Sequence, residues 1–154
     1  MNVSVLSPLP GRVVPLQDVP DPVFAGAIVG PGIAVDPPRG RVDAVSPIAG
    51  RVVKLHPHAF VVLAALPEAM AGVLVHLGID TVQLRGEGFT LYVDENAEVE
   101  AGQPIAGWDP AEVEAGGRSP VCPVVALDAK AEALSDLAPA GDVDAGAALF
   151  TWSV

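Results

Sequence analysis

Glycine and proline divide this chain of 154 residues into short segments, with sixteen copies of each residue spread along it. Both residues disrupt helix interiors and favour turns. Between them lie short runs rich in valine and isoleucine, which are typical of β-strands. Many short strands with close turn signals predict an all-β sandwich or barrel. The predicted strands are residues 11–15, 27–35, 51–55, 59–63, 72–77, 89–93, 121–127 and 147–152.

Helix-start signals are few, and each contains an aspartate in a capping position. Asp21 and Asp109 each precede a proline, which combines an N-cap residue with a proline at the first helical position. The first signal predicts a single helical turn, and the second predicts a short helix through Glu114. Asp128 predicts a longer helix at residues 129–137 with one apolar face.

Two pairs of segments repeat within the chain. Residues 7–16 and 46–55 are identical at seven of ten positions, at an offset of 39. Residues 99–102 and 143–146 repeat at an offset of 44, and a tryptophan follows each at the same distance. The copies are too few and too far apart for a solenoid. A duplicated hairpin-like unit is the simplest explanation, although such turn sequences also recur by chance.

Length, charge and cysteine content limit the kind of protein. A chain of this length is expected to form one domain, residues 1–154. It has no apolar run near the ~20 residues of a membrane span, and its first residues lack a signal-peptide pattern. We therefore expect a cytoplasmic protein without direct membrane insertion. The net charge of -11 argues against nucleic acids and anionic membranes as partners and would attract a basic protein. The single cysteine, Cys122, is expected to be buried and unreactive.

All three histidines flank two predicted strands that are joined at residues 67–69. His58 precedes the strand at residues 59–63, and His76 lies near the end of the strand at residues 72–77. In an antiparallel pair the end of one strand lies beside the start of the other, so the two histidines should come close. Histidine is a neutral nitrogen nucleophile near pH 7. Such a pair suits phosphoryl transfer, in which one imidazole receives the group and the other donates hydrogen bonds to it. Zinc binding is equally compatible.

Two alternatives use the same residues. His56, His58, His76 and Asp80 are four potential metal ligands, in the His-x-His and His-x-x-x-Asp motifs of zinc peptidases that cleave cell-wall peptides. In that family the two motifs occur in the opposite order, and the chain lacks an export signal. The second alternative is a regulatory binding module without chemistry, which the presence of both His58 and His76 disfavours. Asp80 by itself could simply cap a turn.

Ordered blocks along residues 7–152 resemble the glucose-type enzyme IIA of the bacterial phosphoenolpyruvate-dependent sugar phosphotransferase system. The strongest blocks are residues 19–24, 29–35, 46–50, 58–60, 76–82 and 86–89, with further counterparts at 99–102 and 119–121. The resemblance implies an antiparallel β-sandwich with an internally duplicated motif and a few short helices. It also implies a phosphotransferase with a phosphohistidine intermediate.

The resemblance implies a role for each residue around the histidine pair. His76 would receive a phosphoryl group from the histidine-containing phosphocarrier protein and pass it to a cysteine on the IIB domain of a sugar-specific membrane permease. His58 would support the phosphoryl group without carrying it. The backbone carbonyl of Gly78 would hold the far ring nitrogen of His76, which leaves Nε2 free to attack. Asp80 would meet an arginine of the phosphocarrier.

Two residues depart from the family pattern. Threonine often occupies the position of His56, so an imidazole must take over its hydrogen bond to His58 or point away. Aspartate often occupies the position of Pro31, so one ion pair to the phosphocarrier is expected to be missing. No cofactor is required. Zinc between His58 and His76, completed by a partner's carboxylate, is compatible with regulatory complexes.

Water should be excluded from the site, because phosphohistidine hydrolyses. We expect Val29, Phe60 and Leu74 to surround the histidines for this reason. Glucose and N-acetylglucosamine are the leading sugars, but the membrane IIC domain makes that choice. The oligomeric state and any regulatory target proteins stay open.

Overall fold

The computed structural model describes residues 1–67 and 69–154, and in this part of the chain short strands dominate. The strands are β1 (Asn2–Leu6), β2 (Gly11–Pro15), β3 (Gly32–Asp36), β4 (Val42–Val45), β5 (Gly50–His56), β6 (Ala59–Ala65), β7 (Met70–His76), β8 (Thr90–Leu91), β9 (Glu98–Val99), β10 (Pro104–Trp108), β11 (Cys122–Ala126), β12 (Leu134–Ser135), β13 (Asp142–Val143) and β14 (Ala148–Ser153). The helices are α1 (Pro22–Ala25) and α2 (Pro110–Ala115), with 3-10 helices at Leu16–Asp18, Thr81–Leu84 and Ala131–Ala133. The predicted connection at residues 67–69 includes Glu68, which lies outside the described residues. Of the helices that the structure describes, none has the length and apolar character needed to cross a bilayer.

The strands form three antiparallel sheets around one main core. The largest sheet has the order β13-β2-β3-β11-β7-β6-β5-β9, and the two small sheets have the orders β1-β14-β12 and β4-β10-β8. All three sheets contribute to the same buried cluster, with Phe60 and Val75 from the large sheet, Phe150 from the first small sheet and Trp108 from the second. This arrangement confirms the predicted all-β antiparallel sandwich.

Side chains alternate across β7, so the two faces of the large sheet meet different surroundings. Val73 and Val75 are fully buried in the main core, whereas Leu74 and His76 point to the opposite, outer face. On that face Leu74 packs against a second apolar cluster. The members of this outer cluster are Leu16, Val19, Phe24, Ala34, Ile79, Val121 and Val125. His76 therefore ends a central strand of the large sheet on its outer face.

The repeated segments have the same local structure. In each, a fully buried serine donates its hydroxyl to the backbone carbonyl two residues on, from Ser7 to Leu9 at 2.6 Å and from Ser46 to Ile48 at 2.7 Å. Each serine therefore closes the turn that starts its copy. A hydroxyl buried in this way is stable only because it has a partner.

Both repeats belong to one larger unit. Gly11 pairs with Val143, and the equivalent Gly50 pairs with Val99. The two glycines belong to the repeated segments 7–16 and 46–55, and the two valines belong to the repeated segments 143–146 and 99–102. The two pairs of repeated segments therefore meet at equivalent places. A Cβ on either glycine would clash with a backbone carbonyl oxygen of the neighbouring strand, which explains why both copies have glycine there.

The two copies also bond to each other reciprocally. The N–H of Leu6 donates to the carbonyl of Pro47, and the N–H of Val45 donates to the carbonyl of Pro8, both at 2.9 Å. Leu6 and Val45 are equivalent positions at the offset of 39, and so are Pro8 and Pro47. Reciprocal bonds between equivalent positions are those that an approximate twofold axis produces. The predicted internal duplication is confirmed.

The two short predicted helices are confirmed, but the longer one is wrong. Both short helices begin directly after their aspartate caps. Residues 129–137 instead contain a 3-10 turn and β12, in which Leu134 pairs with Trp152. Asp128 has a left-handed φ of 59°, whereas an N-cap residue is extended, so it does not start a helix. Pairing with β14 satisfies the backbone that a helix would otherwise satisfy internally.

The predicted strands are largely confirmed, with shifted ends. The strand predicted at residues 27–35 begins only at Gly32, because residues 27–30 form a turn after α1, in which Ala27 has a left-handed φ of 52° and the N–H of Gly30 donates to the carbonyl of Ala27 at 3.2 Å. The strand predicted at residues 89–93 shrinks to β8. Six of the described strands were not predicted from the sequence, and they are β1, β4, β9, β10, β12 and β13.

The duplicated turns can be tested by removing one hydroxyl at a time. Ser7→Ala and Ser46→Ala each leave a buried carbonyl without its donor, which should lower the free energy of unfolding by about 1–3 kcal/mol. Because the two sites are equivalent, the two losses should agree within about 0.5 kcal/mol. Urea unfolding followed by fluorescence measures both. A large loss in one variant and none in the other would contradict the equivalence of the copies.

Candidate active site

The pairing of β6 with β7 brings two histidines together. Ala59 lies opposite His76 in this pair, and the N–H of Leu77 extends it by donating to the carbonyl of His58 at 2.7 Å. The ring centroids of His58 and His76 are 5.3 Å apart, and the rings meet edge to face at 72°. The predicted convergence of the two histidines is confirmed.

His76 has one ring nitrogen engaged with the backbone. Its Nδ1 lies 2.5 Å from the carbonyl oxygen of Gly78, at the position that the resemblance implies. A carbonyl oxygen can only accept a hydrogen bond, so this contact requires the proton on Nδ1. Nε2 of the neutral ring then carries the lone pair. The backbone therefore selects one tautomer and one nucleophilic atom.

The turn that supplies this carbonyl requires glycine. Gly78 has a φ of +80°, a conformation that other residues adopt only with strain. A Cβ at this position would lie 2.8 Å from Cγ2 of Thr81, which is too close. Gly78 is buried, so the turn cannot relax towards solvent.

The surroundings of His76 favour its neutral form. Burial lowers the pKa of His76 below its ordinary value, and the Gly78 carbonyl and the charges on Asp21 and Asp80 partly offset this effect. Phe24 of α1 covers the imidazole, with ring centroids 5.2 Å apart and the planes tilted by 57°. A neutral imidazole beneath an apolar cover is suited to act as a nucleophile.

The surroundings of His58 also favour its neutral form. The pKa of His58 is lowered to about 4, mainly by burial and also by the charges that His76 and His56 would carry when protonated. The ring of His56 stacks on His58 at 5.7 Å with an angle of 25° between the planes. His56 therefore lies alongside His58.

The apolar neighbours of the site differ in part from those predicted. Leu74 and Val29 do pack against the outer cluster, on the same face of the sheet as His76. Phe60 does not, because it pairs with Val75 and packs in the main core on the opposite face. The prediction for Phe60 was therefore wrong.

Sequence analysis missed two residues of the site. Phe24 contacts His76, and the charge of Asp21 acts on it, although both lie more than fifty positions earlier in the chain. The available signal was the Asp21 cap, whose Oδ1 accepts from the N–H of Val23 at 2.9 Å and starts α1. That signal predicts the helical turn but not the strand end that it covers.

The structure gives the zinc-peptidase alternative no support. Within residues 1–67 and 69–154, no three His, Cys, Asp or Glu side chains are grouped so that they could hold a metal ion. Asp80 is exposed, with a left-handed φ of 60° at the start of the 3-10 helix that follows it. Cys122 is fully buried, as expected, and burial raises the pKa of its thiol well above its usual range.

The fold and site together define a class of protein. A duplicated β-sandwich presents one imidazole Nε2 under an apolar cover, with a second imidazole beside it. This is the arrangement of a carrier that accepts an electrophilic group on nitrogen and hands it on.

Comparison with known proteins identifies the family. Residues 3–131 match the family described as phosphoenolpyruvate-dependent sugar phosphotransferase system, EIIA 1. The glucose-specific EIIA component of Oceanobacillus iheyensis is 40% identical over 126 residues, which are 80% of this chain and 73% of that protein. The N-acetylglucosamine-specific EIICBA component of Escherichia coli is 46% identical over 124 residues, which are 79% of this chain and 18% of that protein. The solved structure of glucose permease IIA from Mycoplasma capricolum superposes with a TM-score of 0.87 at 29% identity, covering 98% of this chain and 96% of that one.

The chain therefore belongs to the EIIA 1 family of the phosphoenolpyruvate-dependent sugar phosphotransferase system. It is a phosphotransferase component that carries phosphoryl groups in sugar uptake. Against multidomain relatives such as the EIICBA protein, it spans less than a fifth of their length.

The depressed pKa of His58 predicts a pH-dependent stability. An unfolded histidine has a pKa of 6.5 and the folded His58 a pKa of about 4, so the unfolded chain binds more protons between these values. The free energy of unfolding should therefore be highest above pH 6.5 and fall as the pH drops towards 4. His58→Gln should show a smaller fall over the same window. Urea unfolding at pH 7, 5.5 and 4.5 measures both proteins, and equal falls would show that His58 does not contribute.

Proposed function

We propose that His76 accepts a phosphoryl group on Nε2 from the histidine-containing phosphocarrier protein and passes it to a cysteine of a sugar-specific IIB domain. The observation that carries this proposal is the bond from Nδ1 of His76 to the carbonyl of Gly78. It holds the proton on Nδ1 and leaves the Nε2 lone pair for attack. We also propose that this reaction takes place in the cytoplasm.

The transfer needs no net proton release at His76. The Nε2 lone pair attacks phosphorus while the nitrogen–phosphorus bond of the donor breaks and the donor imidazole leaves with its electron pair. The phosphorylated ring of His76 keeps its Nδ1 proton and gains partial positive charge, which the Gly78 carbonyl stabilises. In the second step the IIB thiolate attacks phosphorus, and His76 leaves as a neutral imidazole. Both steps depend mainly on positioning and charge stabilisation.

His58 is proposed to stabilise the phosphoryl oxygens without carrying the group. Its ring lies beside that of His76, and its low pKa leaves it neutral at pH 7 with one N–H to donate. Negative charge on an adjacent phosphoryl group would raise that pKa, because an opposite charge favours the protonated form. His58 could then donate more strongly when the phosphoryl group is present than when it is absent.

The partner surface is proposed to surround the two histidines. Three exposed apolar side chains lie on segments that flank the site, which are Val23 in α1 (exposed by 42%), Ile28 after α1 (72%) and Val82 in the 3-10 helix after Gly78 (61%). Exposed Asp80 directly precedes the helix that contains Val82. An apolar patch with an acidic edge suits a partner that presents an arginine beside apolar residues. Pro31 has no charge to add, so the ion pair expected at that position stays missing in this proposal.

The relatives support a IIB domain as the acceptor. Their printed names include glucose-specific and mannose-specific EIIBCA components of Corynebacterium glutamicum and the N-acetylglucosamine-specific EIICBA component of Escherichia coli. These proteins join the IIA domain to IIB and IIC domains in one chain. Glucose and N-acetylglucosamine stay the leading sugars. Zinc bridging His58 and His76 in a regulatory complex stays a prediction.

The two histidines should respond differently to replacement by glutamine. With phosphoenolpyruvate, enzyme I and the phosphocarrier, mass spectrometry should find one added phosphoryl group on the wild type and none on His76→Gln. His58→Gln should still accept the group, because an amide can donate a hydrogen bond. Its transfer to the IIB cysteine should be about a hundredfold slower, the usual effect of losing a transition-state donor worth ~3 kcal/mol.

His56→Gln is the matched control for removing a histidine from this cluster. It should be phosphorylated and should pass on the group with a milder loss than His58→Gln. Acid-labile phosphate on His58 or His56 in the His76→Gln protein would overturn the assignment of the acceptor.

Asp80 should affect docking through its charge. Asp80→Asn keeps a residue type that tolerates the left-handed conformation and removes only the charge. Phosphorylation by the phosphocarrier should slow by up to about fivefold at low salt, the effect of an exposed ion pair worth ~1 kcal/mol. The difference should shrink at high salt.

Asp136 offers a matched control for this measurement. It is also exposed and left-handed, with a φ of 53°, but it follows β12, which belongs to a small sheet that does not contain the histidines. Asp136→Asn should phosphorylate at the wild-type rate. If the Asp80 and Asp136 variants behave alike at every salt concentration, Asp80 does not belong to the interface.

A further inference from the structure

Thr81 is a fully buried polar residue beside the active site, and the transfer steps described above do not use it. In the described part of the chain, three polar side chains are fully buried. They are Thr81 and the two serines that close the duplicated turns, Ser7 and Ser46. The hydroxyl of Thr81 donates to the carbonyl of Leu77 at 2.8 Å, across the turn that contains Gly78. The hydroxyl therefore ties the start of this turn to the helix that follows it.

Two consecutive peptide units decide where the Gly78 carbonyl points. In the first unit, between Leu77 and Gly78, the carbonyl oxygen accepts from Thr81. In the second unit, between Gly78 and Ile79, the carbonyl accepts from Nδ1 of His76, and the N–H of Ile79 donates to the carbonyl of Ser119 at 2.8 Å. A trans peptide unit is planar, with its carbonyl and N–H pointing in opposite directions. The Ser119 carbonyl therefore holds the second unit with its oxygen directed at His76.

Glycine alone would not keep the two units in this relation. The relative orientation of the units depends on φ and ψ of Gly78, and glycine populates a wide range of both. The φ of +80° observed here is one of several that glycine allows. Both units must therefore be held from outside, and Thr81 holds the first one.

The hydroxyl of Thr81 is the hydrogen-bond donor that holds the first unit, at the carbonyl oxygen of Leu77. The second unit is contacted at both ends by His76 and Ser119.

We propose that Thr81 is a positioning residue for phosphoryl transfer, whose hydroxyl fixes the turn so that the Gly78 carbonyl keeps the proton of His76 on Nδ1. This inference rests on the proposed role of His76 as the acceptor. Thr81 does not touch the phosphoryl group. It acts through the Leu77 carbonyl and the turn, and its effect on the reaction is exerted through the tautomer of His76.

Thr81→Val tests this role, since valine keeps the shape of threonine and removes the hydroxyl. Thr81→Ser is the conservative variant, which restores the hydroxyl and removes only the methyl group. Ser46→Ala is the matched control, because it also removes a buried hydroxyl that donates to a backbone carbonyl, at 2.7 Å in the duplicated unit. Thr81→Ala provides a second hydroxyl-free variant if Thr81→Val does not fold.

The direct readout is the tautomer of His76 in the unphosphorylated protein, measured by nitrogen-15 NMR of the imidazole. Wild type, Thr81→Ser and Ser46→Ala should show His76 with its proton on Nδ1. Thr81→Val should show a measurable fraction with the proton on Nε2. Its phosphorylation rate should fall by about tenfold to a hundredfold, the usual range when a group that orients a reacting residue is lost, and Thr81→Ser should restore most of that rate.

The outcomes separate this inference from the proposed function. If the wild type is not phosphorylated on His76, the proposed function fails, whereas the tautomer measurement still tests the role of Thr81 in orienting the ring. If the wild type is phosphorylated and the hydroxyl-free variants keep the wild-type tautomer, the inference is overturned whatever their rate. It is also overturned if Ser46→Ala shifts the tautomer as much as Thr81→Val, because loss of stability alone would then explain the effect.

Discussion

The register between β6 and β7 determines where both histidines lie, and the active site depends on it. Successive side chains alternate between faces, so a slip of one residue would turn His76 into the main core and Val75 towards the outer face. Val73 and Val75 are fully buried, and exposing each would cost about 1.5–3 kcal/mol. The packing of these valines thus holds the register. Through the register it also holds the two imidazole rings at 5.3 Å.

The duplicated architecture provides a stable frame for a site that is not itself duplicated. The eight strands of the large sheet run outward from β11 and β7 at its centre, with β2 and β5 at equivalent distances on either side. The serine turns and the reciprocal bonds between the copies lie away from the histidines. The paired histidines lie at the end of β7 and in the turn between β5 and β6, and Gly78 lies in the turn after β7. Changes at the site can therefore occur without disturbing the bonds that define the fold.

The electrostatics of the site serve one purpose, which is to keep a nucleophilic nitrogen available. Burial holds both imidazoles neutral, and the Gly78 carbonyl assigns the remaining proton of His76 to Nδ1. The protein has a net charge of -11, yet the groups that contact the His76 ring are an imidazole, a phenyl ring and a backbone carbonyl. Carboxylates at the site would repel an incoming phosphoryl group, and Asp80 is exposed at its edge, where a partner's cation can reach it.

Local patterns in the sequence were sufficient to predict much of the fold and part of the site. Turn residues limited segment length, aspartate caps located both short helices, and the repeats indicated the duplication. The convergence of His58 and His76 followed from the pairing of strands adjacent in sequence. The resemblance to the enzyme IIA family then assigned roles to Gly78 and Asp80. The turns, the helix caps and the pairing of adjacent strands depend on backbone preference and on neighbours within about twenty positions, and the chain encodes both directly.

Only the tertiary structure decided which distant segments meet and which face of a strand is buried. Residues 59–63 are apolar throughout, so alternation could not show that Phe60 faces the main core and not His76. The helical preference of residues 129–137 was overridden where Leu134 pairs with β14. The cover of Phe24 over His76 and the bond from Ile79 to Ser119 join segments about forty or more positions apart. Such contacts depend on the topology of the whole sheet. Both faces of the sheet are covered by segments that are distant in sequence, and no local pattern specifies which of these segments meet.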